Sequence, residues 1–280
     1  MTKSVGFIGA GQLGEPMVMR LVGAGHHVLV YSRRNEVRDR LTAGGAASVG
    51  SVAELAAESD ILISCLFSDT QLRETGLGRD GFIANAKSGS VFVSHTTGTI
   101  STLEALRDSS AAAPVILDAP VSGTAENIAA GTLTVLVGGP DDAVAAVTPV
   151  LAAYADPVVA TGDLGSALAI KLINNLLFAA NAQLLAAATQ LGDDLGVEPG
   201  ALLSALQVCS ARSGAASHAD RIGGIDRFAE LGGPFLRKDI AACRQAAAEA
   251  AVDLGLLGTV ARTGPLALDD GDSASGGSSR

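Results

Sequence analysis

Up to about residue 160 the hydrophobic positions follow two alternating rhythms. Short β-branched runs at 5–8, 27–31, 61–66, 90–93, 115–118, 133–137 and 157–160 predict strands. Alanine- and leucine-rich stretches at 17–22, 37–43, 52–58, 103–109 and 142–154 carry the three-to-four-residue spacing of an amphipathic helix. A parallel neighbour needs a long crossover, and a helix supplies it. The alternation therefore predicts βαβ units and a mostly parallel sheet.

Beyond residue 162 the strand rhythm stops. Asp163 can start a helix, and 164–192 reads as one long helix of about 42 Å. Further helices are predicted at 199–208, 222–229 and 235–254, with the stretch from Cys209 to His218 read as a loop. Pro199 suits a first turn, and Gly192, Gly196 and Gly255 suit stops. The expected architecture is an α/β Rossmann-type dinucleotide-binding domain (1–162) followed by an all-α domain (163–268), with the long helix joining them. The Asp/Gly/Ser-rich tail, 269–280, is expected to be disordered.

Composition narrows the function. The 280 residues are 48% hydrophobic, enough for a sizeable core. With 19 Lys and Arg against 29 Asp and Glu, the net charge is −10. That balance argues against nucleic acid and anionic membrane surfaces as partners, both of which need clustered cations. Cys65, Cys209 and Cys243 have no paired spacing, and the four histidines form no ligand pattern, so no metal site is expected. Free thiols and the lack of a leader-like apolar run suggest a cytoplasmic protein. The long apolar helix carries Lys171, Asn174, Asn175, Asn181 and Gln183, which suits a buried helix better than a membrane span.

The chemistry starts at Gly9-Ala10-Gly11-Gln12-Leu13-Gly14, which has the form G-x-G-x-x-G between a predicted strand and a predicted helix. The first glycine permits the tight turn, the second lets a pyrophosphate approach the backbone, and the third lets helix and strand pack closely. A bare glycine turn is the simpler explanation, but its flanking elements select the dinucleotide site. The second strand ends in Ser32-Arg33-Arg34, where NAD-binding chains carry a carboxylate for the ribose hydroxyls. Two guanidiniums there favour a 2′-phosphate, so the expected cofactor is NADP or NADPH.

Asp118-Ala119-Pro120-Val121-Ser122-Gly123, Gly131-Thr132-Leu133-Thr134-Val135, Lys171 with Asn174 and Asn175, and Phe235 with Lys238-Asp239 follow in order. Together with the glycine turn they resemble the β-hydroxyacid dehydrogenases, the 3-hydroxyisobutyrate dehydrogenase-like group of the 6-phosphogluconate dehydrogenase-like superfamily. The resemblance covers about residues 4–255. It implies hydride transfer between a hydroxyacid, here expected to be a 3-hydroxyacid, and its semialdehyde or oxo acid, without a metal. It implies Lys171 as general acid and base, Asn175 and Asn174 as substrate-orienting residues, and the Ser122-Gly123 turn with Thr124 as the carboxylate site. Lys238 would close over cofactor and substrate beside Phe235, Thr96 would meet the nicotinamide, and Leu66 and Phe67 would border the cofactor. Independently, positions 171, 174, 175 and 178 share one helical face. Three polar groups among Leu, Ile and Ala are costly unless satisfied or used.

Several positions depart from the family pattern. Thr124 replaces a second glycine, Asn127-Ile128 replaces a small pair, Ala167 replaces a glycine, and Leu66-Phe67-Ser68 lacks a proline. His95 stands at an apolar position, Gly98 interrupts the segment after Thr97, and the C-terminus is short. These changes leave the substrate acid open. An imine reductase-like NADPH-dependent enzyme and a catalytically silent NADP-binding protein are the alternatives; Lys171 disfavours the first, and Lys171, Asn175 and Lys238 the second. Alanine- and leucine-rich helical surface also predicts self-association, most simply as a homodimer.

Overall fold

A computed structural model describes residues 3–268. The N-terminal part runs β1 (Ser4–Ile8), α1 (Gly14–Gly23), β2 (His27–Tyr31), α2 (Asn35–Ala43), β3 (Ala47–Ser48), α3 (Val52–Glu58), β4 (Ile61–Ser64), α4 (Asp69–Gly76) and α5 (Phe82–Asn85). It continues with β5 (Val91–Ser94), α6 (Ile100–Asp108), β6 (Val115–Asp118), β7 (Val121–Ser122), α7 (Ala125–Ala130), β8 (Leu133–Gly138), α8 (Asp141–Leu151) and β9 (Ala155–Gly162). The strands form one sheet in the order β3-β2-β1-β4-β5-β6-β8-β7, with β9 added beside β8. Pairing is parallel from β3 through β6 and antiparallel where β8 meets β6 and β7. This is the Rossmann-like layout that the alternating rhythm predicts.

Helices cover both faces, which is why the strands read as nearly continuous apolar runs. On one face Val5, Phe7, Ile61, Ile63 and Val93 pack with Met17, Leu21 and Val147. On the other Ile8, Leu62, Phe92 and Ile116 pack with Leu55, Leu72, Phe82 and Leu103. The strand order reverses between β1 and β4, the place where open α/β sheets bind ligands at their carboxyl ends.

The remainder is helical: α9 (Ser166–Asp194), α10 (Pro199–Leu206), α11 (Gly214–Ile222), α12 (Ile225–Glu249) and α13 (Gly255–Thr263). Leu172, Leu176, Leu185, Phe228, Leu236 and Ile240 form the centre of their core. The chain divides into two compact units, Met1–Lys171 and Leu172–Arg280, and the division falls inside α9. By length and composition α9 could cross a membrane, but half of its most apolar stretch is buried inside the protein. Its buried Gln183 is satisfied by α13 and the segment after it, donating to the carbonyls of Ala261 and Leu266 and accepting from the Leu266 N–H. The tail 269–280 lies outside the described residues.

The helical part differs from expectation at several points: Gly192, read as a stop, lies inside α9, and Gly255, also read as a stop, begins the unexpected α13. Gly232-Gly233-Pro234 reads as a break, yet α12 runs through it. Phe228, Leu236, Ile240, Cys243 and Ala247 keep one buried stripe across the proline, and that packing outweighs the lost backbone bond. The stretch read as a loop stays non-helical through Ser213 but folds into α11 from Gly214, its start capped by Ser213 accepting from the Ala216 N–H. His218 packs edge-on against Phe228 there.

His95 follows β5 and is buried beside Tyr154. Its Nδ1 meets the Ala119 carbonyl, which can only accept, so Nδ1 carries the proton. Nε2 then accepts from the Tyr154 hydroxyl at 2.8 Å. In this tautomer the neutral ring satisfies both of its nitrogens. Burial pushes the imidazole from 6.5 down to about 4, partly opposed by the Ala119 bond. The unfolded chain therefore binds a proton before the folded one as pH falls. Stability from this group is complete above about pH 6.5 and is lost progressively toward pH 4, by about 3 kcal/mol. Chemical denaturation of wild type and His95→Leu across this range is expected to show the wild type losing more, so that their stability difference shifts by about that amount. A difference independent of pH would contradict a neutral, buried His95.

Candidate active site

Every parallel strand from β1 to β6 delivers its carboxyl end to one edge of the sheet, and the predicted site residues of the first unit leave from these ends. After β1, Gly9 adopts a left-handed φ of 91°. A Cβ on Gly9 would run into the Cys65 carbonyl, and one on Gly14 into the Gly9 carbonyl oxygen. A Cβ on Gly11 would meet nothing within 4 Å. Two glycines thus allow backbone to pack on backbone, and the middle one leaves open space at the start of α1. There the N–H groups of Glu15 and Met17 go to the Gly11 and Leu13 carbonyls, while a helix start leaves backbone N–H groups ahead of them without an intrahelical partner, and the helix dipole is positive. This cradle fits a pyrophosphate.

The end of β2 folds onto the same turn. Ser32 and Arg34 close a local turn through the Ser32 hydroxyl, and Arg34 Nη2 donates to the Ala10 carbonyl at 3.2 Å. Arg33 is exposed. Sequence reasoning missed Arg40, which grips Glu15 with two bonds of 2.8 Å. That hydrogen-bonded guanidinium holds the Glu15 carboxyl below its usual range and offsets an anion in the first turn of α1. A groove of about 660 Å³ opens beside Gly11 and Gln12, bordered by Arg20, Arg34 and Arg40.

After β4, Cys65 is a thiol that burial pushes up to about 11, so it stays protonated. Leu66 lies against Gly9, while Phe67 is exposed and its N–H donates to Gln71 at the start of α4. After β5, Thr96 is buried. Asp69, also missed, ties this loop down: its carboxylate accepts from the N–H and hydroxyl of Thr99 at 2.9 and 3.0 Å. A side chain on Gly98 would strike that carboxylate, which explains this departure from the family pattern. Among the described residues, the buried hydroxyls of Ser64, Ser94 and Thr96 have no hydrogen-bond partner. Unsatisfied donors at the ligand-binding edge of a sheet, next to an open glycine cradle, fit a polar cofactor.

After β6 the chain turns through Ser122, Gly123 and Thr124, all exposed. Gly123 has a φ of 138°, and a Cβ there would crowd Leu133 and Asn127. Thr124 and Asn127 depart from the family together, and they are partners. The N–H and hydroxyl of Thr124 both donate to Asn127 Oδ1, at 2.9 and 3.1 Å, and so anchor the start of α7.

Asp118 ends β6, fully buried, and its oxygens accept from the backbone N–H groups of Gly165 (2.8 Å) and Leu168 (2.7 Å). The start of α9 is therefore capped by a distant strand. Asp163, the residue expected to cap it, contributes only its carbonyl, to Ser166. Burial raises the Asp118 carboxyl, and the amides it accepts from oppose the shift. The signal was legible: an acid closing the apolar run Val-Ile-Leu has to find a buried partner. Lys171, half-buried, sits one turn beyond Leu168, in the same unit as the glycine turn.

The remaining predicted residues belong to the second unit. Asn174 is exposed and donates to the buried Asn175 at 3.2 Å. Phe235 and Lys238 are exposed neighbours on one face of α12.

The sequence family defined by the NAD binding domain of 6-phosphogluconate dehydrogenase matches residues 4–162. The chain is 31% identical over 214 residues to the uncharacterized oxidoreductase YkwC of Bacillus subtilis, covering 76% of this chain and 74% of that protein. It is 33% identical over 224 residues to a probable mitochondrial 3-hydroxyisobutyrate dehydrogenase of Arabidopsis thaliana, covering 75% of this chain but 64% of the plant protein, less than two thirds of its length. The solved structure of 3-hydroxyisobutyrate dehydrogenase from Mycobacterium tuberculosis with L-serine superposes with a TM-score of 0.83 at 26% identity, over 93% of this chain and 91% of that one. With the glycine cradle at the switch point of the sheet, these matches place the chain in the 3-hydroxyisobutyrate dehydrogenase-like group of the 6-phosphogluconate dehydrogenase superfamily, as a hydroxyacid dehydrogenase-like oxidoreductase with a nicotinamide-dinucleotide-binding domain.

Proposed function

We propose that the protein is an NADP-dependent enzyme interconverting a 3-hydroxyacid and its semialdehyde, with Lys171 as general acid and base. The observation that carries this reading is the placement of Lys171. Its amine stands on the second turn of a helix whose start is bonded to the ligand-binding edge of the sheet, in the same compact unit as the cofactor cradle. A 3-hydroxyacid is favoured because the relatives include a probable 3-hydroxyisobutyrate dehydrogenase.

A bound nicotinamide supplies the chemistry of hydride transfer, and the protein supplies position and proton handling. Gly9, Ala10, Gly11, Gln12, Leu13 and Gly14 would hold the pyrophosphate, with Leu66 and Phe67 bordering it. Ser32, Arg33 and Arg34 would hold the ribose and its 2′-phosphate, and Thr96 would turn its unpartnered hydroxyl to the nicotinamide. Ser122, Gly123 and Thr124 would take the substrate carboxylate through backbone N–H groups and hydroxyls. Lys171 would accept the hydroxyl proton as the alcohol carbon becomes a carbonyl, and return it to the carbonyl oxygen in the reverse direction. Asn174 and Asn175 would orient the substrate, and Lys238 and Phe235 would cover it. Self-association is supported by α9, where Ile170, Ile173, Leu177, Leu184 and Leu191 are 44–59% exposed and four of them recur every seventh residue.

Three measurements test this reading. In a panel of 3-hydroxyacids and aldehyde acids followed by NADPH absorbance, Lys171→Ala is expected to remove most turnover on the best substrate while NADPH still binds; a variant near wild-type rate would end the assignment. Arg33→Ala is expected to raise the KM for NADPH about tenfold and leave that for NADH nearly unchanged, since one charge-assisted phosphate contact contributes roughly 1.5–3 kcal/mol. Equal effects on both cofactors would refute the phosphate role. Light scattering after size exclusion is expected to give at least twice the chain mass, and a monomer at micromolar concentration would exclude self-association.

A further inference from the structure

We infer that Asp118 is a positioning residue that sets the distance between the carboxylate-binding turn and the amine of Lys171. The inference rests on the Lys171 reading given above and extends it to a residue that does not itself meet substrate.

An ordinary helix start is satisfied by the residue just before it, at a gain of about 1 kcal/mol. Here the cap comes from the end of a strand 47 positions earlier in the chain than Gly165. Both carboxylate oxygens are engaged, one by Gly165 and the other by Leu168, so the group cannot swing. The brace has space because position 138 is glycine: a Cβ there would run into Asp118 Oδ1 and come within 2.8 Å of Ser166 Oγ. Ser166 Oγ is bonded in turn to Thr161 Oγ1 at 2.7 Å, and Thr161 Oγ1 to the Val137 carbonyl at 3.1 Å. The first turn of α9 is thus registered against β6, β8 and β9 together.

What a strand-borne cap adds is registration. A local serine or asparagine would end the helix equally well and leave it free to slide or rotate. Asp118 immediately precedes Ala119 and the turn that runs to Thr124. In the other direction it grips the Leu168 backbone, three residues before Lys171, so that a helical rise of only about 4.5 Å separates the grip from the backbone that carries the amine. The same residue therefore fixes both ends of the span a hydroxyacid must bridge, from its carboxylate to its hydroxyl oxygen. Misplacement of a reacting group by about 1 Å can cost about a hundredfold in rate.

The test is a double-mutant cycle between Asp118→Asn and Lys171→Ala, with Gly138→Ala as a second disturbance of the brace should the asparagine variant not fold. Rates are measured on the best acid of the panel, with NADPH affinity followed by fluorescence titration. Asp118→Asn is expected to lower kcat about 10- to 100-fold, with the NADPH Kd changed less than twofold, and to cost nothing further once Lys171 is alanine. Gly138→Ala is expected to show the same coupling with a smaller loss. An equal loss with and without Lys171, or no loss of kcat in either brace variant, would overturn the inference. Failure of the underlying reading is visible separately, as a Lys171→Ala single variant that keeps its rate.

Discussion

Backbone and side-chain polar groups at the carboxyl edge of a doubly covered parallel sheet cannot be left unpaired, and their pairing is the constraint on which this structure depends. Each strand leaves the sheet there into a loop, and each loop is tied sideways to a neighbour from another strand. Arg34 joins the end of β2 to the glycine turn, Asp69 joins the start of α4 to the loop after β5, and His95 joins that loop to Ala119. Asp118 closes the series by joining β6 to α9. The result is a row of turns held to one another by bonds of long sequence separation. In that row, Ser64, Ser94 and Thr96 keep buried hydroxyls that no described residue satisfies. An edge this thoroughly stitched, with unspent donors at one place, is built around something polar that the protein itself does not provide.

The layer pattern was legible because it repeats. The alternation of apolar runs, the glycine turn and the Lys171 to Asn175 spacing are each carried by residues close in sequence, where periodicity and turn chemistry act directly. The sideways bonds were not legible. The partnership of Asp118 with Gly165, or of Asp69 with Thr99, depends on which strands become neighbours, and nothing local to either residue states it. Asp163 shows the same limit from the other side. It satisfies the local rule for a helix start, but the Gly165 N–H is held by a buried carboxylate and the Ser166 N–H by Asp163's own carbonyl. In α12 a stripe of buried side chains on both sides of Pro234 outweighed a local break signal.

The departures from the family pattern read differently once their partners are known. Thr124 and Asn127 sit three residues apart and bond to each other. Gly98 makes room for the Asp69 carboxylate. His95 replaces apolar packing with two hydrogen bonds, one of them to a tyrosine whose own ionisation burial has pushed far out of reach. Taken one position at a time these changes look like an eroded site. Taken in pairs they are exchanges, in which a polar side chain and its acceptor, or a carboxylate and the glycine beside it, were fitted together. At the Thr124–Asn127 turn the result is larger and more polar side chains on a local backbone held by their mutual bonds.

Helix α9 gives the arrangement its rigidity. Lys171 and Asn175 lie four residues apart on one helix face. Their separation along the axis is set by helix geometry, at about 6 Å of rise. On the function proposed above, a proton-transferring amine and a substrate-orienting amide would need a fixed mutual distance more than a fixed place on a loop, and adjacent turns of one rod would supply it. The bonds from Asp118 to Gly165 and Leu168 tie the start of that rod to the sheet.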